Sequence, residues 1–194
     1  MKEILRFGII LAFVAMLAAA SLSWVNAITK PRIEAQEALA IQKALYAVLP
    51  GCEQGLILSV TDPVEYYIGY ENPDTTSIKG IAFQAASKGY SSVIKTMVGV
   101  DTSGTILAIR VLSQKETPGL GTRVEEIKSG ESGPWWQKQF IGKPATEIKV
   151  DKDGGMIESV TGATITSRAI TDGIARQART ILGQLYPEKN NEIE

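Results

Sequence analysis

A chain of 194 residues with 44% hydrophobic and 21% charged residues suits one globular domain plus one special segment. Its net charge of −1 leaves no cationic surface for nucleic acid, and the absence of histidine excludes His-ligated haem, the usual zinc sites and Ser-His-Asp triads. The single cysteine, Cys52, cannot supply the four thiolates of a typical iron–sulfur cluster, so any redox chemistry requires an organic cofactor and no metal site is expected.

The first predicted element is a membrane segment. From Phe7 to Ile28 the chain contains no charged residue, and about 20 apolar residues cross the roughly 30 Å hydrocarbon core of a bilayer. Trp24 stands near the far end, where an indole suits the interface. A cleaved signal peptide is the alternative, because Val25-Asn26-Ala27 offers small residues to a signal peptidase, but signal cores are usually only about 7 to 15 residues long. We therefore predict a retained anchor over residues 1–29.

A connecting helix and linker are predicted over residues 30–55. Pro31 suits the first turn of a helix, and apolar residues then recur on one face until the Pro50-Gly51 pair ends the pattern. Cys52 follows this pair. A charged stretch from Lys30 to Lys43 separates it from the apolar segment, so we expect a small buried residue and not a lipid-attachment site.

Residues 56–194 are predicted to form one domain, which begins with β-strands. Short runs rich in β-branched and aromatic residues indicate five of them. Their predicted limits are Leu56–Val60, Val64–Tyr70, Ile78–Ala86, Val93–Val100 and Thr105–Leu112. The last two flank Asp101–Gly104, whose composition favours a hairpin turn.

The second half of this domain begins with a Gly- and Pro-rich passage, Gln114–Trp136, which predicts a structured loop. Three shorter elements are expected next: a return to the core over Gln139–Val150, a turn over Asp151–Gly155 and a short strand over Met156–Val160. Apolar residues at helical spacing between Ile170 and Leu185 predict a final helix, which Pro187 ends. Strands followed by a terminal helix indicate an α+β fold.

Directly before the final helix lies the run Glu158–Thr164, ESVTGAT. The first turn of a helix has unpaired N–H groups and a partial positive charge, so it favours a phosphoryl group. Gly162 and Ala163 have minimal side chains, which allow an enzyme to approach the Thr164 hydroxyl closely. The competing interpretation is that Thr164 or Thr166 simply caps the helix.

This run resembles the flavinylation motif of the FMN-binding subunits of Rnf- and Nqr-type respiratory complexes. In that family an acidic residue, two variable residues, Ser or Thr, Gly, Ala and Thr occur in order, and the last Thr carries FMN through a phosphodiester bond. The resemblance implies attachment at Thr164, with Thr166 as the alternative if the alignment shifts by two residues. Glu158, where the family most often has Asp, would be read by the flavin transferase. The residues implied to bind the cofactor here are Thr161, Gly162 and Ala163.

A second stretch, Glu116–Gly121 (ETPGLG), resembles a run that lies close to the flavin in the same domains. The residues that it implies for cofactor binding are Thr117, Gly119, Leu120 and Gly121. Gly119 and Gly121 let the backbone pack against a flat ring, and Thr117 offers a hydroxyl and an amide. A Pro-Gly turn without a ligand is the alternative. The resemblance extends from about residue 79 to residue 182 and includes the N-terminal anchor.

The resemblance implies one transmembrane helix followed by a mixed α/β FMN-binding domain, in the G-subunit family of Rnf-type complexes. These translocases couple electron flow between ferredoxin and NAD to Na⁺ or H⁺ transport, and this chain would relay electrons through covalent FMN without a catalytic residue of its own. The implied partners are the other membrane and soluble subunits and a flavin transferase. The domain would lie on the extracytoplasmic face of the inner membrane.

Two other functions fit the same residues. A membrane-anchored flavodomain could donate electrons to a separate extracellular reductase, and its motifs would be identical. A binding module without flavin is the other possibility.

Overall fold

Two α-helices and five β-strands follow one another in the computed structural model, which describes residues 2–52, 57–60, 64–72 and 77–185. They are α1 (Lys2–Val48), β1 (Ile57–Val60), β2 (Tyr66–Tyr70), β3 (Ile78–Lys88), β4 (Val93–Val100), β5 (Ile106–Ser113) and α2 (Thr164–Leu185). By its contacts the chain divides into two units, Met1–Ala40 and Ile41–Glu194. The domain limits predicted at residues 29 and 55 stay predictions. Pro187, the predicted end of α2, lies outside the described residues.

The first unit is formed by the N-terminal part of α1. Every side chain from Glu3 to Ala40 is exposed, although most of those between Phe7 and Ile28 are apolar. Helix α1 contains one stretch that is long and apolar enough to cross a membrane. An apolar helix surface that packs on no protein is typical of a helix surrounded by lipid. The predicted anchor is therefore part of a single α-helix.

Pro31 lies inside α1 and not in the first turn of a separate helix, so the prediction of a new helix at this residue is wrong. The proline ring holds φ near the helical value but lacks an N–H, so the helix continues without the bond to the carbonyl of Ala27. The Thr29 hydroxyl donates to the carbonyl of Val25 at 2.9 Å.

The second unit is built on an antiparallel sheet in which the strands pair in the order β1-β2-β3-β4-β5. All five strands were predicted, and the limits of β4 agree with the prediction. Strand β3 continues to Lys88, two residues beyond its predicted end. Leu56, the predicted start of β1, lies outside the described residues.

The hairpin between β4 and β5 turns at Asp101–Gly104, as predicted. The Asp101 carboxylate accepts hydrogen bonds from the amides of Ser103, at 2.8 Å, and Thr105, at 2.9 Å. Gly104 takes the left-handed conformation, with φ 88°. These contacts fix the register of the two strands.

Successive residues of β3 and β4 point to opposite faces of the sheet and so enter two different cores. Phe83 and Val98 belong to the larger core, which α2 covers. Ala82 and Met97 belong to the smaller core. The end of α1 and the residues after it contribute Ala44, Leu45, Val48, Leu49 and Cys52 to this smaller core. Cys52 has no exposed surface, which confirms the prediction of a small buried residue.

The strand predicted over Met156–Val160 is reduced to one parallel bridge between Ile157 and Val150. Side chains take the place of a strand ladder here. The Glu158 amide donates to the side chain of Gln139 at 2.9 Å, and the Glu158 carbonyl accepts from the indole of Trp136 at 2.7 Å. The predicted turn before this segment is confirmed, with a 3₁₀ turn at Asp151–Asp153.

The packing of β4 against the end of α1 can be tested at Gly99, where the two elements lie very close together. A Cβ on Gly99 would overlap with the carbonyl of Val48. We expect Gly99→Ala to lower the free energy of unfolding by about 1–3 kcal/mol, the usual cost of overpacking. Urea denaturation of the full-length protein in detergent measures this difference.

The matched control is Gly133→Ala, because an added methyl group meets nothing within 4 Å at Gly133. This control should change the unfolding free energy by no more than about 0.5 kcal/mol. If Gly99→Ala were as stable as the control, the packing of the end of α1 on β4 would be refuted.

Candidate functional site

A buried carboxylate, Glu116, organises the region in front of α2. Only 5% of Glu116 is exposed. Its oxygens accept hydrogen bonds from the backbone amides of Tyr90, at 3.1 Å, and of Ser91 and Ser92, both at 3.0 Å. The hydroxyls of Ser92, at 3.0 Å, and Thr166, at 2.6 Å, complete the set. One side chain therefore joins three segments that are distant in the sequence.

These donors decide the protonation state of Glu116. Burial alone would raise the pKa, but the hydrogen bonds from the Thr166 hydroxyl, the Ser91 amide and the Ser92 hydroxyl outweigh it, and the pKa lies below its ordinary value of 4.5. Glu116 is therefore ionised at neutral pH. A fixed negative charge sits beside the first turn of α2.

Two glycines are required by the packing around Glu116. A Cβ on Gly89 would come within 2.7 Å of a Glu116 carboxylate oxygen, and a Cβ on Gly121 within 2.6 Å of the Glu116 Cβ. Both distances are too short for a real side chain. Gly121, predicted to pack against a flat ring, is therefore also required by its contact with Glu116.

Two tight turns face each other beside this carboxylate. In Thr117–Leu120 the last amide donates to the first carbonyl at 3.2 Å, and Gly119 has φ 74°. In Val160–Ala163 the corresponding bond is 2.8 Å, and Gly162 has φ 79°. A Cβ on Gly162 would lie 3.1 Å from the Leu120 side chain. The two motifs predicted to bind the cofactor are therefore in contact.

Helix α2 begins at Thr164, with Ala163 in the cap position. The carbonyl of Ala163 accepts the first helical hydrogen bond from the Ser167 amide at 3.0 Å. The buried Ser167 hydroxyl donates to the same carbonyl at 3.1 Å and accepts from the Val160 amide at 3.0 Å. Within the described chain, no acceptor is found for the amides of residues 164–166. The start of α2 therefore presents three unpaired N–H groups to an anion.

The two threonines of this first turn are in different states. Thr166 is 2% exposed, and its hydroxyl donates to Glu116. Thr164 is half-buried, and its hydroxyl has no partner among the described residues. Neither threonine occupies the cap position, so the interpretation of either as a helix cap is wrong. Ala163 cannot cap with its methyl group, which leaves the helix end open.

A cavity of about 550 Å³ opens between the two turns and the start of α2. Its volume lies within the range of about 300–1,000 Å³ that is usual for small-molecule sites. Six of the predicted site residues line it: Thr117, Leu120, Gly121, Gly162, Ala163 and Thr164. Gly119 and Thr161 shape the turns but do not line the cavity, and Glu158 lies exposed outside it.

Four other residues line the cavity. Thr166 was predicted as the alternative attachment site, whereas no role was predicted for Tyr90, Glu116 or Ile165. Glu116 stands in the quoted ETPGLG run, but nothing in the sequence shows that the amides of residues 90–92 point to its carboxylate. Tyr90 is 69% exposed, Ile165 51% and Leu120 44%. These apolar side chains form an open rim. A flat aromatic group suits this rim, while a phosphate suits the amides of α2.

Comparison with known proteins gave matches along most of the chain. A family model for the FMN-binding domain matches residues 89–178, and a model for the RnfG N-terminal region matches residues 1–48. The G subunit of the ion-translocating oxidoreductase complex of Shewanella piezotolerans is 31% identical, over 89% of this chain and 87% of that protein. The corresponding G subunit of Escherichia coli K12 is 34% identical, over 95% and 96%. The solved structure of Shewanella oneidensis NqrC aligns at 23% identity over 59% of this chain and 54% of its own, with a TM-score of 0.46.

The role of Glu116 can be tested by Glu116→Gln, which places an NH₂ group against hydrogen-bond donors. We expect the free energy of unfolding at pH 7 to fall by about 2–3 kcal/mol, because buried donors lose a charged acceptor. The folded pKa lies below the unfolded value, so the contribution of Glu116 is present above about pH 4.5 and is lost as the pH falls through the folded value. The variant should lack this acid-dependent loss.

Urea denaturation of the full-length protein between about pH 3 and pH 7 measures both effects. The exposed Glu147, changed to Gln, serves as the matched control and should stay within about 0.5 kcal/mol of the wild type. Wild-type stability of Glu116→Gln at pH 7 would show that the carboxylate does not hold the three segments together.

Proposed function

The chain belongs to the family of the G subunits of ion-translocating oxidoreductase complexes, and we propose that it relays electrons through FMN esterified to Thr164. Members of this family are electron-carrying subunits of a multi-subunit complex. The similarity extends over nearly the whole chain, including the N-terminal region. This favours a subunit of a complex over a flavodomain that serves a separate reductase, and the FMN-binding domain does not fit a module without flavin.

The residues around the cavity fit FMN at both of its ends. The phosphate would lie at the start of α2, where the amides of residues 164–166 have no acceptor among the described residues and the helix carries a partial positive charge. The flat ring suits the rim of Tyr90, Leu120 and Ile165, which are exposed although they are largely apolar. When bound, FMN supplies the one-electron transfer chemistry, and the chain fixes its position.

The choice of attachment site rests on the different environments of Thr164 and Thr166. Thr164 lines the cavity, next to the three unpaired amides. The Thr166 hydroxyl is buried and already donates to Glu116 at 2.6 Å. A transferase can reach the first hydroxyl without disturbing the fold, whereas the second would have to give up a charged partner.

Attachment requires a flavin transferase as a partner. The Thr164 oxygen would form a bond to the phosphorus of the FMN half of FAD, the bond between the two phosphates would break, and AMP would leave as the hydroxyl loses its proton. The exposed carboxylate of Glu158 is accessible to such an enzyme. Gln139 and Trp136 hold the Glu158 backbone at a fixed place beside the motif.

We place the domain on the extracytoplasmic face of the inner membrane, together with the other subunits of the complex. A covalent bond has a physical use on that side, because a flavin that dissociates there is lost to bulk solvent. The single apolar helix of α1 provides the membrane attachment.

The attachment site is tested by Thr164→Val, which removes the hydroxyl and keeps the side-chain shape. We expect no covalent flavin in this variant, measured as ultraviolet fluorescence of the band in a denaturing gel. Thr166→Val is the matched control. It should keep the flavin while its free energy of unfolding falls by about 1.5–3 kcal/mol, because one hydrogen bond to the charged Glu116 is lost.

The wild-type chain from cells without a flavin transferase should have its unmodified mass, because a threonine hydroxyl does not attack FAD unaided. Fluorescence that persists in Thr164→Val and disappears in Thr166→Val would move the attachment to Thr166. A mass increase of one FMN without the transferase would contradict the need for this partner.

The position of the domain is tested by protease treatment of intact spheroplasts. We expect digestion of residues 41–194 from outside, followed with an antibody against the C-terminal region. A cytoplasmic protein serves as the control for intact cells. Protection of the domain in intact spheroplasts, together with digestion after lysis, would place it on the cytoplasmic side.

A further inference from the structure

A second cavity, of about 640 Å³, lies along α2, and five of its eleven lining residues are cationic. We call it the basic groove. Its cationic residues are Lys88, Lys149, Arg168, Arg176 and Arg179. Asp172 is the one carboxylate among the described residues that line it. The whole chain has a net charge of −1, so this excess of positive charge is local, and the net charge did not predict it.

Only two of the five cationic side chains form hydrogen bonds within the described part of the domain. Arg168 forms two hydrogen bonds with the Asp153 carboxylate, at 2.6 and 2.7 Å, and Arg179 donates to the Thr146 carbonyl at 2.7 Å. Lys88, Lys149 and Arg176 are exposed, and none of them forms an ion pair within the described chain. Three cations of the groove therefore face solvent and are available to an anionic partner.

The basic groove adjoins the cofactor cavity. Ile165 lines both of them and is 51% exposed. It follows Thr164 directly in the first turn of α2. A molecule that covers the groove therefore also comes against the cavity, and electron transfer requires such an approach because its rate falls steeply with distance.

We propose that the basic groove docks an acidic surface of the partner subunit that exchanges electrons with this chain. The proposal rests on the proposed function of the neighbouring cavity. The lining residues on α2 extend from Ile165 to Arg179, about 21 Å at 1.5 Å per residue, which is longer than a phosphate or a lipid head group. The apolar lining residues Ile148, Ile165, Ala169 and Ala175 among charged side chains match the mixed composition of transient protein interfaces.

The test reverses two of these exposed charges, in Lys149→Glu combined with Arg176→Glu, in the tagged full-length chain expressed with its complex. The complex is solubilised and washed with rising salt, and its retained subunits are identified by mass spectrometry. We expect the double variant to lose the partner subunits at a lower salt concentration than the wild type. The rate of flavin reduction in membranes should fall by about tenfold or more, because opposed charges no longer steer the encounter.

The matched control reverses one lysine and one arginine elsewhere on the domain, Lys95→Glu with Arg110→Glu, both exposed on the sheet. This control should behave as the wild type. Covalent flavin fluorescence should be equal in all three proteins, so a failure of docking is distinguished from a failure of FMN attachment. Equal salt dependence of the groove variant and the control would overturn the proposal.

Two further outcomes would also overturn it. Loss of the covalent flavin in the groove variant alone would assign the groove to the attachment reaction. Release of the partner subunits from the wild type by inorganic phosphate, but not by chloride at the same ionic strength, would assign it to a small phosphate anion.

Discussion

The buried Glu116 carboxylate, which accepts five hydrogen bonds, holds the site together, and the Thr166 hydroxyl donates to it at 2.6 Å. This last hydrogen bond joins the first turn of α2 to the ETPGLG turn, which lies 50 residues earlier in the chain. The same carboxylate binds the amides of residues 90–92, so the start of β4 is fixed as well. The cavity exists because these three segments are held around one buried charge.

The Glu116 carboxylate also gives the two threonines of the first turn of α2 different environments. Thr166 is occupied by its bond to Glu116, while Thr164 keeps its hydroxyl at the cavity wall. A buried carboxylate is costly unless several donors surround it, and five donors surround this one. The buried carboxylate and the helix end with its unpaired amides therefore lie side by side.

The regular secondary structure and the two motifs of the site were predicted from the sequence. Strand β4, the hairpin turn at Asp101–Gly104 and the final helix follow from local patterns, which depend on neighbouring residues. The strand predicted at Met156–Val160 does not form, because the side chains of Gln139 and Trp136, about 20 residues away in the sequence, bind the backbone there. Glu116 was missed for the same reason, since its partners come from turns that no local pattern connects.

Ser167 holds the loop before α2 in one shape, and this affects when a flavin can be attached. Its hydroxyl bridges the Val160 amide and the Ala163 carbonyl, and distant side chains hold Glu158 beside the same loop. The shape of the loop is thus a property of the finished domain and is missing from a nascent polypeptide. Under the proposed attachment at Thr164, a transferase that binds this shape would act only on the folded domain, and misfolded chains would stay without covalent flavin.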